Sequence, residues 1–213
     1  MERRTRPAWA TLVVAALLVS GCGGGDDGPH KVAEAAGFAT YEVESAGFSL
    51  AVPADWRAYS GEALESADFH RFDAENPDFA STDAGSEDFE FAAIDPSRTG
   101  GFPTSVNVLL GAAPGGSSIE DALPDAVRSI RGLPVVPGSF EHGIVSLPGG
   151  RALRLAYTTE VTLQGARRLV ASRQYGFLVG TKTYLVTFTT PASLAGKHER
   201  VFARSAASFR PDR

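Results

Sequence analysis

GRALRLAYTTEVTLQGARRLVASRQYGFLVGTKTYLVTFT, residues 150–189, reads as three antiparallel strands in succession. Taking Gln164-Gly165-Ala166 as a three-residue hairpin loop places Val161 opposite Leu169, Tyr157 opposite Arg173, Leu155 opposite Tyr175 and Leu153 opposite Phe177. Gly180-Thr181, as a two-residue turn with glycine supplying the positive φ, sets Phe177 opposite Tyr184, Tyr175 opposite Val186 and Arg173 opposite Phe188. With both turns in place, one face of the meander is apolar across all three strands. A slip of one residue would turn one strand's set to the other side.

Working outward, Thr190 and Pro191 supply a cap and a first residue for a closing helix, with Leu194, Val201, Phe202 and Ala206 on one face. Ser208-Phe209-Arg210 follows it, Phe209 pointing inward. Upstream, Phe140 to Leu147 is a strand that enters the meander through Pro148-Gly149-Gly150. A helix follows Gly115-Gly116, with Ser117 as cap, Glu120 completing a capping box and Ile119, Leu123, Val127 and Ile130 as the buried stripe; Pro124 should kink or divide it. Phe89, Phe91 and Ala93 alternate on one strand and Val106, Val108 and Leu110 on the next. Residues 61–75 suggest a further helix, capped by Ser60 and broken at Asn76-Pro77. Phe48, Leu50 and Val52 face inward on a strand that Pro53 ends; Trp56 plugs the sheet edge beyond it, and Thr40 to Val43 form a short edge strand. The pattern predicts an α+β fold, an α/β/α sandwich with a central, mainly antiparallel sheet of about seven strands covered by helices on both faces.

The N-terminus has a different character. Three arginines, an apolar run from Ala8 to Val19 and then Ser20-Gly21-Cys22 make an export signal, the run being too short to span a bilayer comfortably. Small residues directly before the chain's only cysteine resemble the signal peptides of bacterial lipoproteins. That resemblance implies cleavage after Gly21 and a Cys22 carrying thioether-linked diacylglycerol and further acyl chains, a stable lipid anchor on the extracytoplasmic side of the cell membrane. The expected organisation is signal peptide 1–21, flexible Gly-rich tether 22–37 and one globular domain 38–213. A lone cysteine allows no disulfide within the chain.

Of 20 basic and 25 acidic side chains, the signal peptide holds three and one. Residues 22–125 carry 4 basic and 20 acidic residues, whereas 126–213 carry 13 and 4. The halves are either mutual partners or opposite faces of a polarised surface. Export and anchoring exclude nucleic acid as a partner; the membrane, through the lipid, is expected, with a protein or small-molecule partner left open.

Residue types that carry chemistry are present but not gathered. Gly111 to Ser118 has the strand-loop-helix placement of a phosphate loop without its lysine, and Glu120 and Asp121 would repel an anion. His30, His70, His142 and His198 lack ligand spacing, so no metal or other cofactor is expected. The acidic residues Asp68, Asp73, Glu75, Asp78, Asp83, Glu87, Asp88 and Glu90 lack the order of a calcium loop. No serine sits in a nucleophile elbow. Arg173 is the charged residue in an otherwise apolar run. In the derived register Tyr157 and Phe188 flank it, so it is either a structural arginine stacked on rings or a positive binding anchor in a groove those aromatics line.

Gly47-Phe48-Ser49-Leu50-Ala51-Val52-Pro53 with Trp56, then Arg173-Gln174-Tyr175, Tyr184-Leu185-Val186-Thr187-Phe188-Thr189 and Ala207-Ser208-Phe209-Arg210, together resemble PsbP-like domains, LpqN-type bacterial lipoproteins among them. The similarity runs over roughly residues 38 to 210 and consists of core pattern. It implies an accessory or binding protein with no shared catalytic motif. Two other functions stay open: a carrier of an apolar or amphipathic small molecule held between sheet and helices, and a hydrolase using acidic residues.

Overall fold

A computed structural model describes residues 29–61, 64, 89–97, 103–113, 116–163 and 165–212. The signal peptide, Cys22, most of the expected helix 61–75, His70 and all of the acidic group except Glu90 lie outside them.

The strands are β1 (His30–Ala35), β2 (Phe38–Val43), β3 (Phe48–Pro53), β4 (Arg57–Ser60), β5 (Phe89–Ile94), β6 (Ser105–Ala112), β7 (Glu141–Leu147), β8 (Gly150–Leu163), β9 (Ala166–Val179), β10 (Lys182–Pro191) and β11 (Arg210–Pro211). Two α-helices among the described residues are α1 (Ile119–Arg131) and α2 (Ala195–Ser208). A seven-stranded antiparallel sheet, in the order β4-β5-β6-β10-β9-β8-β7, forms the middle of the molecule. The N-terminal strands do not join it. They form a separate four-stranded sheet, β1-β2-β3-β11, in which the chain's last strand closes on its first pair.

The central sheet is therefore buried on both sides. Its near face carries Phe91, Val106, Val108, Ala152, Tyr175, Phe177, Tyr184, Val186 and Phe188, which pack against Phe48, Leu50 and Val52 of the small sheet, against Phe202 and Ala206 of α2, and against Trp56 and Phe209. Its far face presents Leu153, Leu155 and Tyr157 to Ile119 and Ile130 of α1, with Phe89, Ala92 and Ile94 in a separate cluster. Phe209 has no exposure and lies 4.6 Å from Phe177, 5.4 Å from Phe48 and 5.6 Å from Tyr184, ring centre to ring centre.

The β9–β10 register is the expected one: Phe177 pairs with Tyr184, Tyr175 with Val186 and Arg173 with Phe188 across a turn whose Gly180 has φ +60°. The β8–β9 register is not. Leu163 pairs with Ala166, so the connection has two residues instead of three, and Gly165 takes φ +78° within it. Every partner on β8 moves by one: Tyr157 pairs with Ser172, Leu155 with Gln174 and Arg154 with Tyr175. The expected register assumed a single apolar face. With α1 covering the far side, the odd positions of β8 serve one core and its even positions the other, so apolar alternation alone leaves the register open.

Smaller corrections have local causes. Ser118, not Ser117, caps α1, its hydroxyl accepting from Asp121 N–H, with Asp121 rather than Glu120 completing the box. Pro124 sits inside α1 without dividing it. Thr190 caps nothing: it is buried, its hydroxyl 2.8 Å from that of Thr104, and Pro191 ends β10, a 3-10 turn preceding α2. β1 occupies the last part of the stretch read as tether. All six of its residues are exposed, and its turn into β2 is held by Arg204 of α2, which donates to the carbonyls of Ala35 and Ala36 and lies 4.0 Å over the Phe38 ring.

Candidate functional site

The corrected register decides what surrounds Arg173. Tyr157 points to the far face, buried under α1, where burial pushes its hydroxyl pKa up against the opposing pull of its hydrogen bond with Ser172. Phe188 does sit opposite Arg173, but in the core, with Phe202 stacked on it at 5.0 Å and Tyr175 edge-on at 6.1 Å. The structure thus keeps Arg173 beside Phe188 and removes Tyr157 from both.

Ala156 takes the place opposite Arg173 that Tyr157 was expected to fill, and Arg154 stands diagonal to it. Arg154 pairs with Tyr175 while Arg173 pairs with Ala156, so the two arginines are diagonal neighbours on the near face, with Cβ atoms about 7 Å apart by ladder geometry. Arg173 donates from Nε to Glu199 of α2 at 3.2 Å, with Nη2 ion-paired to the same oxygen at 3.2 Å, and from Nη1 to the Ser172 carbonyl at 3.0 Å. Arg154 donates to Glu141 at 3.3 Å and pairs across the ladder with Tyr175. Burial works against its charge, yet the hydrogen bonds with Tyr175 and Glu141 outweigh burial and hold its pKa above the ordinary guanidinium value.

Small residues make the floor between these two side chains. Ala156 is buried, and Gly143, paired with Arg154 on β7, has no atom within 4 Å of where a Cβ would stand. The two guanidinium groups thus stand as neighbours on the near face, between α2 and β7, beside small residues at Gly143 and Ala156. The arginine side chains are 28% and 20% exposed, their carboxylate partners Glu141 and Glu199 70% and 45%. Guanidinium forks in this arrangement hold carboxylate or phosphate oxygens in pairs. The resident carboxylates, being the more exposed members of pairs worth only about 0–1 kcal/mol each, are displaceable.

The other places singled out from sequence look different. At the start of α1, Ser118 donates from its N–H (3.2 Å) and hydroxyl (2.6 Å) to Asp121, so the helix end is filled by its own carboxylate and offers no phosphate cradle. An open depression of about 370 Å³ lies beside it, bordered by Ser118, Glu120, Gly149, Arg151, Phe177 and Val179, with Glu120 and Arg151 ion-paired along it. An apolar space of about 30 Å³ beneath, between Ile119, Ala122, Leu153 and Leu178, is an order of magnitude below what a carried small molecule requires. His30 and His142 are exposed. His198 is buried against Phe202, and burial lowers its pKa, with Asp95 pulling the other way. Among the described residues no three His, Cys, Asp or Glu side chains gather as a metal would need, and no helix is long and apolar enough to cross a membrane.

Sequence reasoning missed Arg154 and Tyr175. Gln-Gly at the hairpin tip was the available signal, since glycine in the second position of a two-residue turn is as common a hairpin connection as the three-residue form.

No family model matches this chain, and no curated protein matches it. Among solved structures it is similar to the cyanobacterial PsbP (CyanoP) of Synechocystis sp. PCC 6803, with a TM-score of 0.49 and 12% identity over 91% of this chain and 98% of that one. It is also similar to LpqN of Mycobacterium tuberculosis, described as involved in cell envelope biogenesis, with a TM-score of 0.48 and 15% identity over 78% of this chain and 83% of that one. A Bacteroides thetaiotaomicron structure aligns at a TM-score of 0.44 and 12% identity, over 78% of this chain and 45% of its own. At such values no activity, partner or site residue transfers from these proteins.

Proposed function

We propose that this chain is a lipid-anchored, extracytoplasmic accessory protein that performs no catalysis and binds an anionic partner in the groove between α2 and β7. The observation that carries the reading is the placement of Arg154 and Arg173 on diagonal positions of one face, above a floor kept open by Gly143. The anchor rests on the sequence around Cys22, and the interaction role on a packed near-face core among the described residues, where the apolar space beside α1 is about 30 Å³.

Two measurements test it. Full-length protein made in a host that processes lipoproteins should partition with membranes, and Cys22→Ser should release it; a mutant that stays in the membrane fraction after signal removal refutes the anchor. Binding of an oligoglutamate peptide, read by chemical-shift changes at Arg154 and Arg173, should weaken at least tenfold in Arg154→Met/Arg173→Met. Charge-assisted hydrogen bonds contribute about 1.5–3 kcal/mol each, which sets that scale. The variant should melt within a few degrees of wild type, because the pairs it breaks are partly exposed. Unchanged peptide affinity refutes the groove.

A further inference from the structure

β7 is the last strand of the central sheet, and one of its edges has no neighbouring strand among the described residues. Leu147 pairs with Gly150 across the two-residue Pro148-Gly149 turn, so that pair exchanges both of its hydrogen bonds, as do Val145–Ala152, Gly143–Arg154 and Glu141–Ala156 after it. The N–H and C=O groups of His142, Ile144 and Ser146 consequently point the other way, along the open edge. No backbone hydrogen bond among the described residues reaches them.

The other sheet edges are blunted. β4 has four residues and β11 two. β1 has a register shift between Lys31 and Ala33, an ion pair of Lys31 with Glu34, and all six of its residues exposed. Short strands, bulges and charged side chains are the means by which sheets avoid edge-to-edge association. β7 is longer and regular: its seven residues pair with β8 without a shift, include no proline or lysine, and set half-buried Ile144 and Val145 beside buried Leu153 and Ala152. Its one carboxylate, Glu141, stands at the first position and is held by Arg154.

A strand added here must offer its own hydrogen-bonding groups at every second residue, and a second β7 does so in one register. With Ile144 opposite Ile144 of the other copy, His142 falls opposite Ser146, each of these pairs exchanges both hydrogen bonds, and every outward N–H and C=O is satisfied. Sliding two residues one way brings Pro148, which has no N–H, against His142; sliding two the other way runs the pairing past the start of the strand to Phe140. The side chains fit the same register. On the far face His142, Ile144 and Ser146 read polar, apolar, polar from either end, so Ile144 meets its own copy. On the near face Gly143, with no atom within 4 Å of where a Cβ would stand, lies opposite Val145, and Glu141 lies opposite Leu147, so no carboxylate meets another.

We infer that β7 is the contact surface for a second copy of this chain, the two strands pairing antiparallel about a two-fold axis at Ile144 to make one continuous sheet. The contact uses the edge of each copy once and therefore stops at two. It goes beyond the anion-binding reading and does not depend on it, because the pairing is made by the backbone of β7.

The test is disulfide formation under mild oxidation in full-length protein, in membranes of a host that processes lipoproteins. His142→Cys, Ile144→Cys and Ser146→Cys are compared with wild type, which reports any bridge through Cys22. Opposed Cα atoms at position 144 would lie about 5.5 Å apart, within bridging range, whereas position 146 of one copy stands about 13 Å along the strand from position 146 of the other. Ile144→Cys is expected to give a dimer above the wild-type background, His142→Cys and Ser146→Cys none when expressed singly, and these two a mixed dimer when co-expressed. Ser146→Pro removes an outward N–H and leaves the β8 ladder intact; combined with Ile144→Cys it should cut the yield about tenfold, the effect of two lost hydrogen bonds, at a melting temperature near wild type. Should Ser146→Pro not fold, the positional pattern of the cysteines still decides. No bridge at 144 above background, equal bridging at all three positions, a bridge from 144 to a different protein, or a folded Ser146→Pro that leaves the yield unchanged each overturn the inference. Peptide affinity, which tests the arginine pair, does not enter this readout, so the two readings fail separately.

Discussion

Replacing Gly149 by alanine should damage this fold more than any other glycine-to-alanine change in the central sheet, although its φ is not positive. A Cβ built on Gly149 would stand 2.2 Å from the Phe209 carbonyl oxygen and 3.2 Å from its carbon, where real contacts do not fall below 3.0 Å. Either the β7–β8 turn or the junction of α2 and β11 must therefore retreat by roughly 0.8 Å or more. The carbonyl is not free to turn aside, because Arg210 donates to it at 2.8 Å and Arg210 is itself paired with Ser49 in the small sheet. Behind the carbonyl, the Phe209 ring is locked among Phe48, Phe177 and Tyr184. Overpacking of a filled core costs about 1–3 kcal/mol, and freeing Phe209 altogether would approach the roughly 3–5 kcal/mol of a lost core phenylalanine. A loss of about 2–4 kcal/mol is expected, which for a chain of this size lowers the melting temperature by about 5–15 °C. Thermal and urea melts of Gly149→Ala beside Gly143→Ala, whose Cβ meets nothing within 4 Å, make the measurement. If the two variants melt together, within about 0.5 kcal/mol of wild type, the close approach between turn and Phe209 is wrong.

Two further expectations come from titratable groups, one buried and one half-buried. His198 has its pKa lowered by burial, so its contribution is complete above the unfolded value near 6.5 and is lost as pH falls toward the folded one. Wild type should lose melting temperature between neutral and mildly acidic pH, His198→Leu should lose less over the same range, and parallel pH profiles would refute the assignment. Glu90 has its pKa raised, chiefly by burial, with Lys182 opposing, so the fold is favoured while Glu90 is protonated and loses that advantage as pH rises through the folded value. Glu90→Gln should accordingly raise the melting temperature at neutral pH and give no gain in acid below the carboxylate range; equal effects at both pH values would refute it.

The parts of the fold that could be read from sequence are those with a single solution. Gly180 admits few turns, and β9–β10 pairs as expected. Phe48, Leu50, Val52 and Phe209 are buried as their alternation requires. What could not be read was partnership between layers. Nothing in Phe48 to Pro53 says whether that strand joins the long sheet or packs over it, because both arrangements bury the same side chains. The β8 misalignment has the same origin: Leu153, Leu155 and Tyr157 are as apolar as an inner face should be, and the helix that buries them is α1 on the far side. Once β8 is shifted by one residue, the aromatic neighbour assigned to Arg173 is replaced by Ala156, with a second cation, Arg154, on the diagonal.

That replacement changes what the charge asymmetry means. A basic half neutralised by an acidic half would show ion pairs across residue 125, yet among the described residues only Arg128–Asp125 and Arg151–Glu120 cross it. Arg154–Glu141, Arg167–Glu160 and Arg173–Glu199 all lie within the basic half, and each joins an arginine to one of the few acids there. Those acids are local and 45–70% exposed, so they compensate charge without covering it. Of these three arginines, Arg173 is the most enclosed at 20% exposed and Arg154 the next at 28%, whereas Arg167 stands 80% exposed. On the reading proposed above, exposed Arg167 would attract an anionic partner at long range before it met the more enclosed Arg154 and Arg173.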